Sequence, residues 1–251
     1  IWLWDREQGS YRVALYGHNA GVQGITITPD SEKVLTVSED GTLRVWNVAD
    51  GGFLRLLQGY AASLNDVDWS PDSTQLVSGG SDTLVTIYKI TDGAEHRILY
   101  GHLGIVIGVS WNPNGRWVAS SEWNNAVRLW DTTSGECIRV LNNPDEAGDY
   151  FDKLAWSPNG QYLAIGTYRH GIQLFDLHTR HQSWLSSQIP TWIRHVAWHP
   201  DGIQLAGGGA DGAVYIWDTT TATQLQQLTG HHSTITDVAW SPDGRFLASS
   251  S

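Results

Sequence analysis

The chain has 251 residues, with 15 lysines and arginines against 26 aspartates and glutamates, for a formal net charge of −11. A surface of that sign lacks the general attraction for phosphate that opens most nucleic-acid encounters, and no run of 18 or more apolar residues is present to cross a bilayer as a helix. The length suits one large β domain with one core, and the single cysteine, Cys137, can form no internal disulfide, so the expected setting is a reducing, cytoplasmic one.

The chain starts at Ile1 inside a strand pattern, has no methionine and shows no charged-then-apolar leader, which reads as a piece excised from a longer polypeptide. From there one unit of sequence recurs. A proline preceded by Ser, Thr, Asn or His and followed by Asp or Asn stands at Pro29, Pro71, Pro113, Pro158, Pro200 and Pro242. An aromatic ending an apolar strand stands at Trp4, Trp46, Tyr88, Trp130, Phe175 and Trp217. Both series step by 42 residues with one step of 45, and in each of the five intact units the aromatic follows its proline by 17. The stretch from Gly101 to Asp131 shows the unit plainly: three apolar runs of strand length, separated by turn clusters at Asn112-Pro113-Asn114-Gly115 and Glu122-Trp123-Asn124-Asn125. A fixed period of this length means a solenoid or a propeller, and four short strands per unit without helical periodicity favour the propeller.

Gly17-His18, Gly101-His102 and Gly230-His231 open units, and Trp4-Asp5, Trp130-Asp131 and Trp217-Asp218 close them. With these pairs the chain resembles the Trp-Asp (WD) repeat family of β-propellers along essentially its whole length. The resemblance implies an all-β fold of four-stranded antiparallel blades. Ser251 stops where the sixth unit should continue, and Trp4 is placed to supply that unit's aromatic, with only four turn residues absent. Residues 1–251 are therefore expected to form a single six-bladed ring, its last blade completed by residues 1–15, with Ile1 to Asp5 hydrogen-bonded beside Phe246 to Ser251 so that no sheet edge is left free. A parent ring of seven or more blades is the alternative.

The resemblance also implies a buried hydrogen-bond network in each blade. The first unit carries it whole as His18, Thr36, Asp40 and Trp46, each donor meeting an acceptor. The second keeps Ser78 and Asp82 but has Tyr60 and Tyr88 at its ends. The third has His102, Ser120 and Trp130, with Asn124 at the carboxylate position. The sixth has His231 and Ser249, with Trp4 coming round the ring. Units four and five depart most, with Ala147 and Ile189 for the histidine, Ile165 and Gly207 for the hydroxyl, and Arg169 and Phe175 for the acid and tryptophan of unit four. Apolar packing must hold these blades, and local departures of this kind mark functional or strained places.

Nine of the 14 tryptophans fall at repeat positions as packing between blades, leaving Trp2, Trp117, Trp123, Trp184 and Trp192, of which Trp123 and Trp192 sit in loops. Partners of WD-repeat propellers are usually gripped on the face carrying the loops into the first strands and the turns between second and third strands. Carried over by position, the contact residues of units three to five are Ile107, Trp123, Tyr150, Asp152, Tyr168, Trp192 and Arg194, with Arg169 alongside. Aromatic rings beside arginine are the composition of an interface hot spot. The expected function is a non-catalytic scaffold that binds a protein or peptide there, without nucleic acid, membrane, cofactor or metal. A ligand-sensing domain of a larger signalling NTPase or kinase is the alternative, by family analogy.

Other constellations are weaker. His195 and His199 share one strand face but stand about 13 Å apart, too far to hold one metal ion. His178 and His181 flank a turn, and the acidic run Asp145, Glu146, Asp149 and Asp152 lacks the alternating spacing of a calcium loop. Propeller-type glycoside hydrolases remain a remote alternative, since Ser38-Glu39-Asp40-Gly41-Thr42 puts glycine directly after the acid, against the sialidase turn motif S-x-D-x-G-x-T-W. The nearest approach to a hydrolase elbow, Gly79-Gly80-Ser81-Asp82-Thr83, ends wrongly. The glycines Gly207 to Gly209, followed by no lysine, read as a strand under close packing and not as a phosphate cradle.

Overall fold

The computed structural model describes residues 1–5, 10–28, 30–58, 63–90, 95–123, 126–142, 150–185 and 191–251, with the backbone alone at 4, 5, 10–12, 58, 95, 96 and 142. Twenty-four strands make up the described structure. A two-stranded sheet of β1 (Trp2–Asp5) and β2 (Ser10–Ala14) comes first. The first blade is β3 (Val22–Ile27), β4 (Lys33–Ser38), β5 (Thr42–Asn47) and β6 (Phe53–Gln58); the second is β7 (Leu64–Trp69), β8 (Gln75–Gly80), β9 (Val85–Lys89) and β10 (Glu95–Leu99). The third is β11 (Val106–Trp111), β12 (Trp117–Glu122), β13 (Ala126–Asp131) and β14 (Cys137–Asn142). The fourth is β15 (Phe151–Trp156), β16 (Tyr162–Thr167), β17 (Ile172–Asp176) and β18 (Gln182–Trp184), and the fifth is β19 (Ile193–Trp198), β20 (Gln204–Gly209), β21 (Val214–Asp218) and β22 (Thr223–Leu228). A second two-stranded sheet, β23 (Asp237–Trp240) and β24 (Leu247–Ser250), ends the chain. Each four-stranded sheet is an antiparallel meander in chain order, the arrangement that the repeat period predicts.

The turn between the first and second strands of each unit is built by its side chains. The Ser70 hydroxyl donates to Asp72 Oδ1 at 2.6 Å and accepts from the Gln75 N–H at 2.8 Å. Thr28 with Asp30, Ser157 with Asn159 and Ser241 with Asp243 repeat the first of these bonds at 2.5, 2.6 and 2.5 Å. A hydroxyl before the proline and an acid or amide after it thus replace backbone partners that a tight turn leaves unpaired.

The core lies between blades. Leu35, Val37 and Val45 of the first blade pack with Leu64, Val67 and Trp69 of the second, and the same alternation joins third to fourth and fourth to fifth. Middle strands are accordingly buried on both faces, as β8, β16 and β20 are after their first residue. In the last three units the tryptophan two residues before the proline adds a polar staple to the preceding blade, whereas the Trp111 indole N–H donates to the Gly115 carbonyl of its own turn at 3.1 Å. Trp156, Trp198 and Trp240 donate their indole N–H to the carbonyls of Ser110, Ala155 and Ala197 in the preceding blade, at 3.2, 3.1 and 3.2 Å. The glycines of β20 are packed against their neighbours: a Cβ on Gly207 would lie 2.8 Å from the Trp217 ring and one on Gly208 2.5 Å from Ile235 Cγ2.

The innermost strands β3, β7, β11, β15, β19 and β23 contact one another in sequence and line one central cavity of 450 Å³. The expected pairing of the two termini is not formed among the described residues: β1 pairs with β2 and β24 with β23, and the two half-blades do not join into one sheet. Each obtains its burial from the complete blade beside it. Ile1, Leu3 and Val13 pack on Trp46, Val34 and Leu15, while Val238, Trp240 and Leu247 pack on Ala197, Ala206 and Val214.

Candidate functional site

Among the described residues, two blades carry a complete network. In the first, Trp46 Nε1 donates to Thr36 Oγ1 at 2.9 Å, Thr36 lies 2.7 Å from His18 Nε2, and His18 Nδ1 lies 3.0 Å from Asp40 Oδ2. Asp40 also accepts from the Asn19 N–H and from Thr42, and these bonds hold its carboxyl well below the usual range although burial opposes them. In the third, Trp130 Nε1 donates to Ser120 Oγ at 2.7 Å, and Ser120 lies 2.6 Å from His102 Nε2. The carboxylate there is Glu122, whose Oε2 lies 2.8 Å from His102 Nδ1 and accepts from the Leu103 N–H at 2.9 Å. This corrects the assignment by position: Asn124 lies outside the described residues, and the acid comes from two places earlier, at the end of β12. The longer glutamate side chain spans from the strand to the place that aspartate reaches from the turn. Glu122 was legible only as an acid two residues after the hydroxyl. In the last unit His231 Nε2 lies 2.9 Å from Ser249 Oγ, while Tyr60, Ala147, Ile189 and the Trp4 side chain lie outside the described residues.

Four of the residues assigned to partner binding meet. Trp123 stacks on Tyr150 with ring centres 5.5 Å apart and planes 17° apart. Tyr150 meets Tyr168 at 6.0 Å, Tyr168 meets Trp192 at 5.4 Å, and Trp192 meets Trp123 at 6.4 Å, all at steep angles. The circuit draws on three blades, and the same repeat geometry positions each ring. The residue in the turn between second and third strands donates its N–H to the residue preceding the first strand: Trp123 to Ile105, Tyr168 to Tyr150 and Ala210 to Trp192, at 2.9, 2.9 and 2.8 Å. Trp123, Tyr150 and Tyr168 are 41, 37 and 44% exposed, so the cluster is open to solvent.

Below it, Arg194 lays its guanidinium over Trp192 at 5.0 Å and approaches Asp152 at 3.6 Å. Asp152 is buried, its Oδ2 has no hydrogen-bond partner, and burial pushes its carboxyl up to about 6 against the attraction of Arg194 and Lys153. Ile107, Asp152 and Arg194 line the central cavity, and of these Arg194 alone is placed against a ring of the cluster, Trp192; Arg169 follows Tyr168 in the β16–β17 turn.

The cavity holds charges that position-by-position reasoning missed. Lys153 Nζ lies 2.8 Å from Asp66 Oδ1 and donates to the Asn65 carbonyl at 2.9 Å, spanning from the fourth blade to the second, and His195 Nε2 lies 3.2 Å from Asp237 Oδ1. A signal existed: Gly24, Asp66, Gly108, Lys153, His195 and Asp237 all stand five residues before the repeating proline. His199 pairs with Asp201 at 2.9 Å, apart from His195. No group of three metal-ligating side chains occurs among the described residues, and Asp145, Glu146 and Asp149 lie outside them.

Comparison with known proteins agrees with this architecture. The family model for the WDR19 first beta-propeller matches residues 107–251, and the WD domain, G-beta repeat model matches 9–47 and 51–89. Lissencephaly-1 homolog 1 of Paramecium tetraurelia is 40% identical over 48 residues, which is 19% of this chain and 12% of that protein, so the chain spans only a small part of that relative. Propellers with these repeats are typically protein-interaction scaffolds. With the first model covering more than half its length and the repeat model most of the remainder, the chain belongs to the WD-repeat β-propeller family.

Proposed function

We propose that this propeller is a non-catalytic scaffold that holds a protein or peptide partner on the aromatic face over its third to fifth blades. The circuit of Trp123, Tyr150, Tyr168 and Trp192 carries this reading. Large rings on rigid turns present contact area at little cost in side-chain entropy, and Arg194 beside them completes a hot-spot composition. Ser120, His102 and Glu122 have the connectivity of a hydrolase triad, but Ser120 is fully buried and its oxygen already accepts the Trp130 N–H, so no substrate carbonyl has access. Closure of the ring by pairing β1 with β24 belongs to the same proposal.

The test is a pull-down and binding titration with the wild type against a Trp123→Ala/Trp192→Ala variant. Partner capture is expected to fall at least tenfold with the melting temperature within a few degrees of wild type. A large loss of thermal stability with capture intact would make these rings mere caps on irregular blades.

A further inference from the structure

We propose that Arg194 reads one residue of the docked partner, its guanidinium fork taking the side-chain carboxylate of an aspartate or glutamate. The inference rests on reading the aromatic face as a peptide-docking surface and names what that surface selects beside its rings.

Arg194 is held on two sides and open at its end. The guanidinium lies 5.0 Å from the centre of the Trp192 ring, and Nε faces Asp152 Oδ2 at 3.6 Å. Nε is buried, yet the side chain as a whole is 40% exposed, and no described residue hydrogen-bonds to either terminal nitrogen. A guanidinium carries its N–H donors in a rigid planar fork, so those on Nη1 and Nη2 are left for a ligand. The ring and the buried carboxylate fix the fork in advance, which reduces the entropy lost on binding. Arg194 lines the central cavity of 450 Å³ and touches the ring cluster through Trp192. A side chain entering the cavity from a peptide on the rings meets it.

Charge decides the class of that side chain. An ammonium or guanidinium is repelled by Arg194, an apolar group leaves its N–H groups without acceptors, and a carboxylate matches a guanidinium with paired parallel hydrogen bonds. A phosphate dianion asks for more positive charge than the cavity can spare. Lys153 is already engaged by Asp66 Oδ1 at 2.8 Å and the Asn65 carbonyl at 2.9 Å, and Asp66, Asp152 and Asp237 line the same space. The net charge of −11 acts on the residues flanking the anchor, which should be neutral or basic.

Asp152 links the site to protons. Burial pushes its carboxyl up to about 6, and a second carboxylate at Arg194 raises it further by like-charge repulsion. The other charged or titratable groups lining the cavity are Lys153, Asp66, His195 and Asp237, and burial holds the His195 pKa below its ordinary 6.5. Binding of an acidic peptide should therefore tighten between pH 7.5 and 5.5, as Asp152 takes up a proton.

The experiment selects binders to the whole chain from a displayed library of random nine-residue peptides. Those captured are expected to carry an acidic residue beside an aromatic or aliphatic one. The leading peptide is then synthesised with an amidated C-terminus, in its acidic form and with the acidic residue replaced by the matching amide. On the wild type the amide form should bind about tenfold or more weakly, and on Arg194→Gln the two forms should agree within about twofold. Asp152→Asn should bind the acidic form more tightly at pH 7.5 and lose the pH dependence, a gain that damage to the fold would not produce. Equal binding of the two forms, lost in Trp123→Ala and Trp192→Ala, overturns the fork while sustaining the docking face. An acid preference that survives in Arg194→Gln overturns Arg194 as its reader. If the amide form regains full affinity with a free C-terminus, the side chain is overturned as the source, and tighter binding of a phosphoserine at that position overturns selection of a monoanion. Failure to select any peptide overturns the proposal and leaves the docking face to the pull-down.

Discussion

Glu122 Oε2 lies 2.8 Å from His102 Nδ1, filling from a strand the place that Asp40 fills from a turn beside His18. The two acids differ by one methylene and by their distance from the hydroxyl, two residues in one blade and four in the other. What the network requires is an oxygen at one point in space.

Glu122→Asp is therefore expected to act as a disruptive change. The shorter side chain falls short of His102, the Leu103 N–H loses its partner, and the blade should lose about 1 to 3 kcal/mol, read by urea unfolding. Asp40→Glu in the first blade should cost a similar amount by overreaching. A Glu122→Asp variant with wild-type stability would show that the bond is incidental.

Gly207 occupies the hydroxyl position of the fifth blade, so restoring serine there looks like a repair. The structure predicts damage, because a Cβ at that position lies 2.8 Å from the Trp217 ring and 3.0 Å from Ile193 Cγ2. Gly207→Ser and Gly208→Ala should each destabilise by about 1 to 3 kcal/mol through overpacking, measured by thermal unfolding.

Stability should depend on pH in two opposed ways. Asp152, pushed up to about 6 from 3.8, keeps a proton in the folded chain that the unfolded chain has released; stability from this group falls as pH rises from about 4 through 6, by on the order of 3 kcal/mol. Asp40 is shifted downward, so its contribution is present above pH 3.8 and is lost as pH falls below it. Asp152→Asn should flatten the neutral limb of the stability curve, and Asp40→Asn the acid limb. Carboxyl carbon NMR gives the Asp152 midpoint directly, and a value near 4 would refute the assignment.

Ring closure is open to a cross-link. The second and third strands pair Leu35 with Val45 in the first blade; the same register in a completed sixth blade would place Ala248 opposite Leu3. In a Cys137→Ser background, Leu3→Cys with Ala248→Cys should oxidise to an intramolecular disulfide and raise the unfolding midpoint. Intermolecular products alone would argue that the half-blades stay apart.

Much of the architecture was legible in the sequence because it is local. Alternation at period two, a hydroxyl and an acid around a proline, and a repeat of 42 residues specify strands, turns and four-stranded units without reference to any distant residue. The first blade's network was legible in the same way, each member standing at its repeat position. The tertiary structure decided whatever depends on reach between strands and blades. It brought Trp123, Tyr150, Tyr168 and Trp192 from three blades into one circuit, substituted Glu122 for the residue at the repeat position, and extended Lys153 across the cavity to Asp66. It also paired β1 with β2 and β24 with β23, with no ladder between β1 and β24 among the described residues. Local rules act along the backbone, where spacing in sequence is spacing in space. Contacts between blades are set by side-chain length and packing at places a repeat brings close but does not specify.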